Sequence, residues 1–291
     1  MNIGLSSYSL YGAIEKGELN AVTMLDWIKE NGGDYVEIVP AGITLTGDDK
    51  LIEDVKNHAL KINLPIEHYS TGADVLADYD KAIDFLQKEI DTAAKLGCKT
   101  FRHDLVMVFD INYCTTQNFE KNLPQIIEAA KYLNNYAKQY NLTTSIENHG
   151  YFMNGADNCI RVVDAVGSNS FGLTLDVGNF VSVDENHVAS TVKCLPYAKM
   201  VHFKDWYLRN ARHMGKFVNF LTKECFSRSR GGVLAKGAMI GNGDLDLISI
   251  SESIKSFGYK GNVTVEFEGL EESKLGSRIG LAATKALLLE E

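Results

Sequence analysis

The sequence predicts an α/β fold, a single (β/α)8 barrel, on three observations. Eight short runs rich in β-branched and aromatic residues alternate with longer helix-like stretches along all 291 residues. No linker, low-complexity tract or break in composition divides the chain, so 1–291 reads as one domain. Carboxylates and imidazoles close most of the apolar runs, and a barrel brings every strand end to one mouth. An open, doubly wound sheet is the competing pattern. It needs no chemistry at eight separate strand ends, and no Gly-rich phosphate loop follows the first strand.

Strands are expected at 2–9 (NIGLSSYS), 35–40 (YVEIVP), 64–70 (LPIEHYS), 100–105 (TFRHDL), 143–148 (TTSIEN), 172–179 (GLTLDVGN), 199–205 (KMVHFKD) and 262–269 (NVTVEFEG). Between the third and fourth, Ile83, Leu86, Ile90 and Ala94 recur at steps of three and four, which predicts an amphipathic helix over 78–97 that Gly97 stops. Residues 118–141 repeat the pattern, with Pro124 expected in the first helical turn, where its missing N–H is harmless. After strand 7 a long insertion, 206–240, carries Arg209, Arg212, Lys216, Lys223, Arg228, Arg230 and Lys236 against Glu224 alone. In an acidic chain that local reversal of charge reads as a lid or a subunit contact at the barrel rim, the latter consistent with a homo-oligomer.

Composition removes several classes of function. An apolar content of 45% with 23% charged residues suits a soluble domain with a large core. A formal charge of −9 opposes general nucleic-acid binding. No run approaches the ~20 apolar residues needed to cross a bilayer. Five cysteines, odd in number and without a Cys-x-x-Cys pair, offer neither a disulfide framework nor a zinc knot. With no basic and apolar leader in MNIGLSSYSL, a cytoplasmic protein is expected.

The strand ends carry the chemistry. Glu147, Asp176, His202 and Glu266 come from four consecutive strands. Three carboxylates at neighbouring strand ends repel one another without a cation between them. With one imidazole they suit a divalent metal: carboxylates favour Mn2+ or Mg2+, and the histidine also accepts Co2+ or Zn2+. His68 and His103 also fall near strand ends, where they could orient substrate hydroxyls or hold a second metal. His149 and Lys204 could hold substrate oxygens, with Asp205 fixing Lys204, and Arg209 is the insertion's first candidate for a phosphate or carboxylate. For each of these side chains a structural hydrogen bond or a solvated surface position is the plainer reading.

SIENHG, LTLDVGN, VHFKDW and VTVEFEG, together with GNGDLDLISISESIKSFGYKGNVTVEFEG (241–269), resemble the motifs of the sugar-phosphate isomerase/epimerase group, the xylose-isomerase-like TIM barrels. The resemblance implies that Glu147 and Glu266 bind the metal and act as an acid/base pair, that Asp176 and His202 complete the site, and that Glu268 is an outer group. The implied reaction moves a proton next to the carbonyl of a sugar or sugar phosphate through an enediolate, as an isomerase or epimerase. An inosose- or dehydroshikimate-type dehydratase begins with the same step and is the alternative. Endonuclease-type DNA repair enzymes also resemble the pattern at His68 and His103, but Asn179 stands where they use a further zinc-binding histidine and no Asp-x-His pair follows strand 7. Asn179 also occupies a place where sugar epimerases often have histidine, and is carried as a substrate contact. A non-catalytic sugar-binding protein would not need two acid/base carboxylates.

Overall fold

A computed structural model describes residues 1–215 and 218–290; Lys216 of the insertion lies outside them. The elements follow the expected alternation: β1 (Asn2–Ser6), α1 (Tyr11–Glu15), α2 (Thr23–Glu30), β2 (Val36–Ile38), α3 (Asp49–Lys61), β3 (Ile66–Gly72), α4 (Tyr79–Leu96), β4 (Thr100–Asp104), α5 (Thr116–Lys138), β5 (Thr143–Glu147), α6 (Ala156–Val166), β6 (Phe171–Asp176), α7 (His187–Cys194) and β7 (Ala198–Phe203). Then come β8 (Asp205–Asn210), α8 (Ala211–Met214), α9 (Val218–Glu224), β9 (Ser227–Arg228), β10 (Val233–Ala238), α10 (Leu247–Phe257), β11 (Asn262–Val265) and α11 (Ser273–Leu289). Eight parallel strands close a barrel in the order β1-β11-β7-β6-β5-β4-β3-β2. None of the described helices is long and apolar enough to cross a membrane.

Helix ends obey the sequence signals. Asp78 accepts from the Lys81 N–H at the start of α4, and Gly97 ends the helix at φ 87°, a left-handed conformation that favours glycine. Pro124 departs from expectation. Thr115 caps α5 by accepting from the Asn118 N–H, so the helix starts early and Pro124 lies in its interior rather than its first turn.

Strand alternation sorts the barrel into two faces. Ile3, Leu5, Val36, Ile38, Phe101, Ile146, Leu173, Leu175, Val201, Phe203, Val263 and Val265 join the apolar core shared with the helices. The intervening positions are polar and meet across the interior: Ser145 and Thr174 hydroxyls at 2.7 Å, and the Tyr35 hydroxyl with Thr264 Oγ1 at 2.7 Å. Towards the carboxyl ends this inner face becomes Glu37, Arg102, Asp104, Glu147, Asp176, His202 and Glu266, all buried.

The 206–240 stretch builds an antiparallel sheet of its own, ordered β8-β10-β9. Asp205 anchors its base. Its carboxylate accepts from the backbone N–H groups of Trp206 and Gly243 at 2.8 Å, Gly241 at 3.0 Å and Leu245 at 3.3 Å. Asp205 therefore pins the GNGDL loop instead of fixing Lys204. A Cβ at Gly243 would collide with that carboxylate, so glycine is required there. Asp205→Ala leaves these donors unsatisfied and should cost about 3 kcal/mol or more. Urea denaturation checks this; an unchanged midpoint would show that the loop does not depend on Asp205.

Candidate metal centre

The motif IENHG divides its side chains among three tasks. Glu147 turns into the barrel. Asn148 clamps the neighbouring strand, donating to the Asp176 carbonyl and accepting from the Asp176 N–H, each at 2.8 Å. His149 places Nδ1 2.7 Å from Asp104 Oδ2. Asp176 is fixed further by its own turn: Oδ1 accepts from the Gly178 and Asn179 N–H groups at 2.8 Å, which leaves Oδ2 facing the barrel axis.

Glu147, Asp176, His202 and Glu266 each present one ligand atom, and all four atoms lie within 4.8 Å of one another. His202 Nδ1 faces this group, 3.1 Å from Glu147 Oε1, 3.7 Å from Glu266 Oε2 and 3.9 Å from Asp176 Oδ2. Ligands opposite one another across a divalent ion stand about 4 Å apart, twice a metal–oxygen distance of ~2.0–2.2 Å. Three carboxylate oxygens and one imidazole nitrogen therefore fit a hard-to-borderline divalent cation with little movement of the ligands themselves.

Protein cations interleave the acids. Arg102 bridges Glu147 Oε2 at 2.9 Å and Asp104 Oδ2 at 3.0 Å. The Lys204 ammonium lies 2.6 Å from Glu266 Oε2, 3.2 Å from Glu268 Oε1 and 3.0 Å from Asp176 Oδ2, the last an ion pair without hydrogen-bond geometry. A Cβ at Gly178 would stand 2.5 Å from Lys204 Cγ, so glycine is what lets this stem pass. Burial pushes the Asp176 carboxyl up to about 7 against the pull of Lys204. Burial also works against ionised Glu266, but Lys204 and His202 hold it at about 2. Burial works against the charged His149 ring as well, yet Asp104 raises it to about 9, so it stays an imidazolium.

Above the acids opens a cavity of about 310 Å3, lined by Glu147, Glu266, Glu268, Arg102, Asp104, His149, Asn179 and Lys204, with Tyr8, Ser70 and Met107 among the others. Asn179 reaches both sides of the cluster, its Oδ1 3.3 Å from Lys204 and its Nδ2 3.5 Å from Glu147 Oε1.

Three expected contacts lie elsewhere. His68 is buried beside Asn262, the first residue of β11, with Nε2 3.0 Å from the Asn262 amide, at the amino end of the strands. His103 faces the helix layer, packed between Phe101 and Phe171. Arg209 is half exposed and pairs with Asp244 at 3.0 Å, outside the cavity. His68 shares the inward parity of Ser70 but lies too low in the barrel, whereas His103 shares the outward parity of Phe101. Conversely, Glu37, Arg102 and Asp104 were passed over, although alternation marks them. Phe101 sets the outward parity of TFRHDL, so Arg102 and Asp104 must point in.

Mn2+ at 100 times its Kd should stabilise the protein by about 2.7 kcal/mol, raising Tm by several degrees. EDTA should reverse the shift, and Asp176→Asn should abolish it in thermal melts.

A family model described as the xylose isomerase-like TIM barrel matches residues 25–287. No curated protein sequence matches the chain. Among solved structures, a xylose isomerase-like TIM barrel protein from Mycobacterium smegmatis in complex with magnesium superimposes with a TM-score of 0.73 at 17% identity, covering 99% of this chain and 97% of that one. The D-allulose 3-epimerase of Methylomonas sp. in complex with D-allulose gives 0.73 at 17%, with the same coverages. The probable 3-DHS dehydratase AsbF of Bacillus anthracis gives 0.71 at 14%, covering 99% and 98%. At these identities the structures share the fold, and the family match decides membership: this chain belongs to the xylose isomerase-like TIM barrel family.

Proposed function

We propose that the protein is a metal-dependent isomerase or epimerase that moves a proton next to the carbonyl of an uncharged sugar. The observation that carries this reading is the placement of Glu147 and Glu266. Both line the cavity, both belong to the ligand cluster, and each is paired with its own cation, Arg102 or Lys204. Two separately supported carboxylates can divide the work, one removing a proton and the other returning it. A divalent ion held by Glu147, Asp176, His202 and Glu266, with Mn2+ the best match to the donor set, would supply Lewis-acid stabilisation of the charge that develops on the substrate oxygens. Return of the proton to the same carbon from the opposite face gives an epimer; return to the neighbouring carbon gives an aldose–ketose isomer. The sugar ligand of the Methylomonas structure supports a sugar of this kind.

The charge of the substrate follows from the pairings. Among the described residues lining the cavity, Arg102, Lys204 and His149 are each engaged by one or more carboxylates. None of the described bases of 206–240 lines it. A phosphate would enter a site already rich in carboxylates without a free cation to meet it. This reading replaces the anion-binding role expected of Arg209.

A dehydratase is the second reading, favoured by one observation. The His149 imidazolium and the Lys204 ammonium both border the cavity, and either can protonate a departing hydroxyl. The endonuclease reading loses support, because His68 and His103 stand away from the cluster.

The test is carbon-bound deuterium uptake in heavy water, read by mass spectrometry with Mn2+-loaded protein and a panel of ketoses, their phosphates and inososes. Uptake by a neutral ketose that falls at least ~100-fold in Glu147→Gln and Glu266→Gln is expected. Loss of water from the substrate would move the assignment to the lyase. Uptake confined to the phosphates would overturn the uncharged-substrate reading. Arg209→Ala should leave kcat and KM unchanged for every substrate.

A further inference from the structure

We infer that Glu37 is a positioning residue, which presents the His202 ring to the cation through a single hydrogen bond across the barrel interior. The inference rests on the metal reading proposed above.

Glu37 is the one charged side chain in the three-residue strand β2, and it is fully buried. An isolated buried carboxylate costs several kcal/mol, so it needs a partner. Its partner is remote. In the closed barrel β1 and β11 stand between β2 and β7, yet Glu37 Oε2 lies 2.9 Å from His202 Nε2. The two ring nitrogens are thus divided, with Nε2 meeting Glu37 and Nδ1 meeting Glu147, Glu266 and Asp176. A carboxylate at Nε2 keeps a proton on that nitrogen, so Nδ1 is the nitrogen that would give up its proton and turn a lone pair to a cation, and the ring would be the stronger donor for it.

Among the described residues His202 is the hydrogen-bond partner of Glu37, and the Arg102 charge adds only a smaller, longer-range attraction. Glu37 Oε1 has no hydrogen-bond partner among the described residues, and neither has the hydroxyl of Ser6, its register partner on β1. What holds the carboxylate is therefore its contact with His202, and what holds the ring from behind is Glu37.

The experiment compares wild type with Glu37→Gln, which keeps an acceptor but loses the charge, and Glu37→Leu, which keeps the volume but loses the acceptor. Mn2+ affinity is measured by calorimetry, the visible spectrum of the Co2+-loaded protein reports the ligand field, and circular dichroism of the metal-free proteins checks folding. Expected is a graded loss of Mn2+ affinity, about tenfold for Gln and about a hundredfold for Leu, with displaced Co2+ bands in Leu. Wild-type affinity and an unchanged Co2+ spectrum in both variants would overturn the inference. Should the Leu protein not fold, Gln decides alone, and wild-type affinity there overturns it as well. A wild-type protein that binds neither Mn2+ nor Co2+ would instead remove the metal reading, and the role of Glu37 with it.

Discussion

Crowding of carboxylates at one buried mouth is the constraint on which the site depends. Glu37, Asp104, Glu147, Asp176, Glu266 and Glu268 converge there, all but Glu268 buried. Two like charges 4 Å apart repel by about 4 kcal/mol at an effective dielectric of 20. The chain answers by interleaving: Arg102 lies between Asp104 and Glu147, His202 between Glu37 and Glu147, and Lys204 among Asp176, Glu266 and Glu268. Arg102, His202 and Lys204 are each shared by more than one acid. Glu147, Asp176 and Glu266 meet His202 where four ligand atoms close up.

The barrel makes such crowding tolerable because its outer face holds the fold. Apolar residues at alternate positions bind the strands to the helices, so the inner positions are free to be polar at the mouth. Asp205 extends the same division of labour, committing a buried carboxylate to four backbone donors so that the loop after β10 keeps its place beside β8.

Much of this was legible in the sequence. All eight barrel strands, the helix over 78–97 and the meeting of Glu147, Asp176, His202 and Glu266 follow from apolar runs that end in ligand-type residues. What escaped depends on direction or distance. His68 and His103 have the right residue type near a strand end but the wrong height or parity, and Phe101 supplies the parity that excludes His103. Glu37 lies in the middle of a short apolar strand, and its partner is 165 residues away, a pairing only the closed barrel creates. Arg209 stands seven residues beyond His202 in the sequence, but β8 runs antiparallel to β10 and carries it to the surface beside Asp244.

Lys204 would link cation loading, under the proposed function, to the charge of the cavity. Its ammonium stands 2.6 Å and 3.0 Å from two of the four ligand carboxylates, so a divalent ion seated among them must push it away. The outward route is prepared: Glu268, a quarter exposed, lies at 3.2 Å, and Asn179 Oδ1 at 3.3 Å. A cation held by those ligands would press Lys204 towards Glu268 and Asn179, along the cavity wall it already lines. Glu268 already pairs with this ammonium, so its charge would stay matched there. The neutral sugar of the proposed function would suit that balance, taking hydrogen bonds from a paired ammonium and a paired imidazolium. A dianionic phosphate would have to break one of those pairs to enter, at the desolvation cost that buried charges carry.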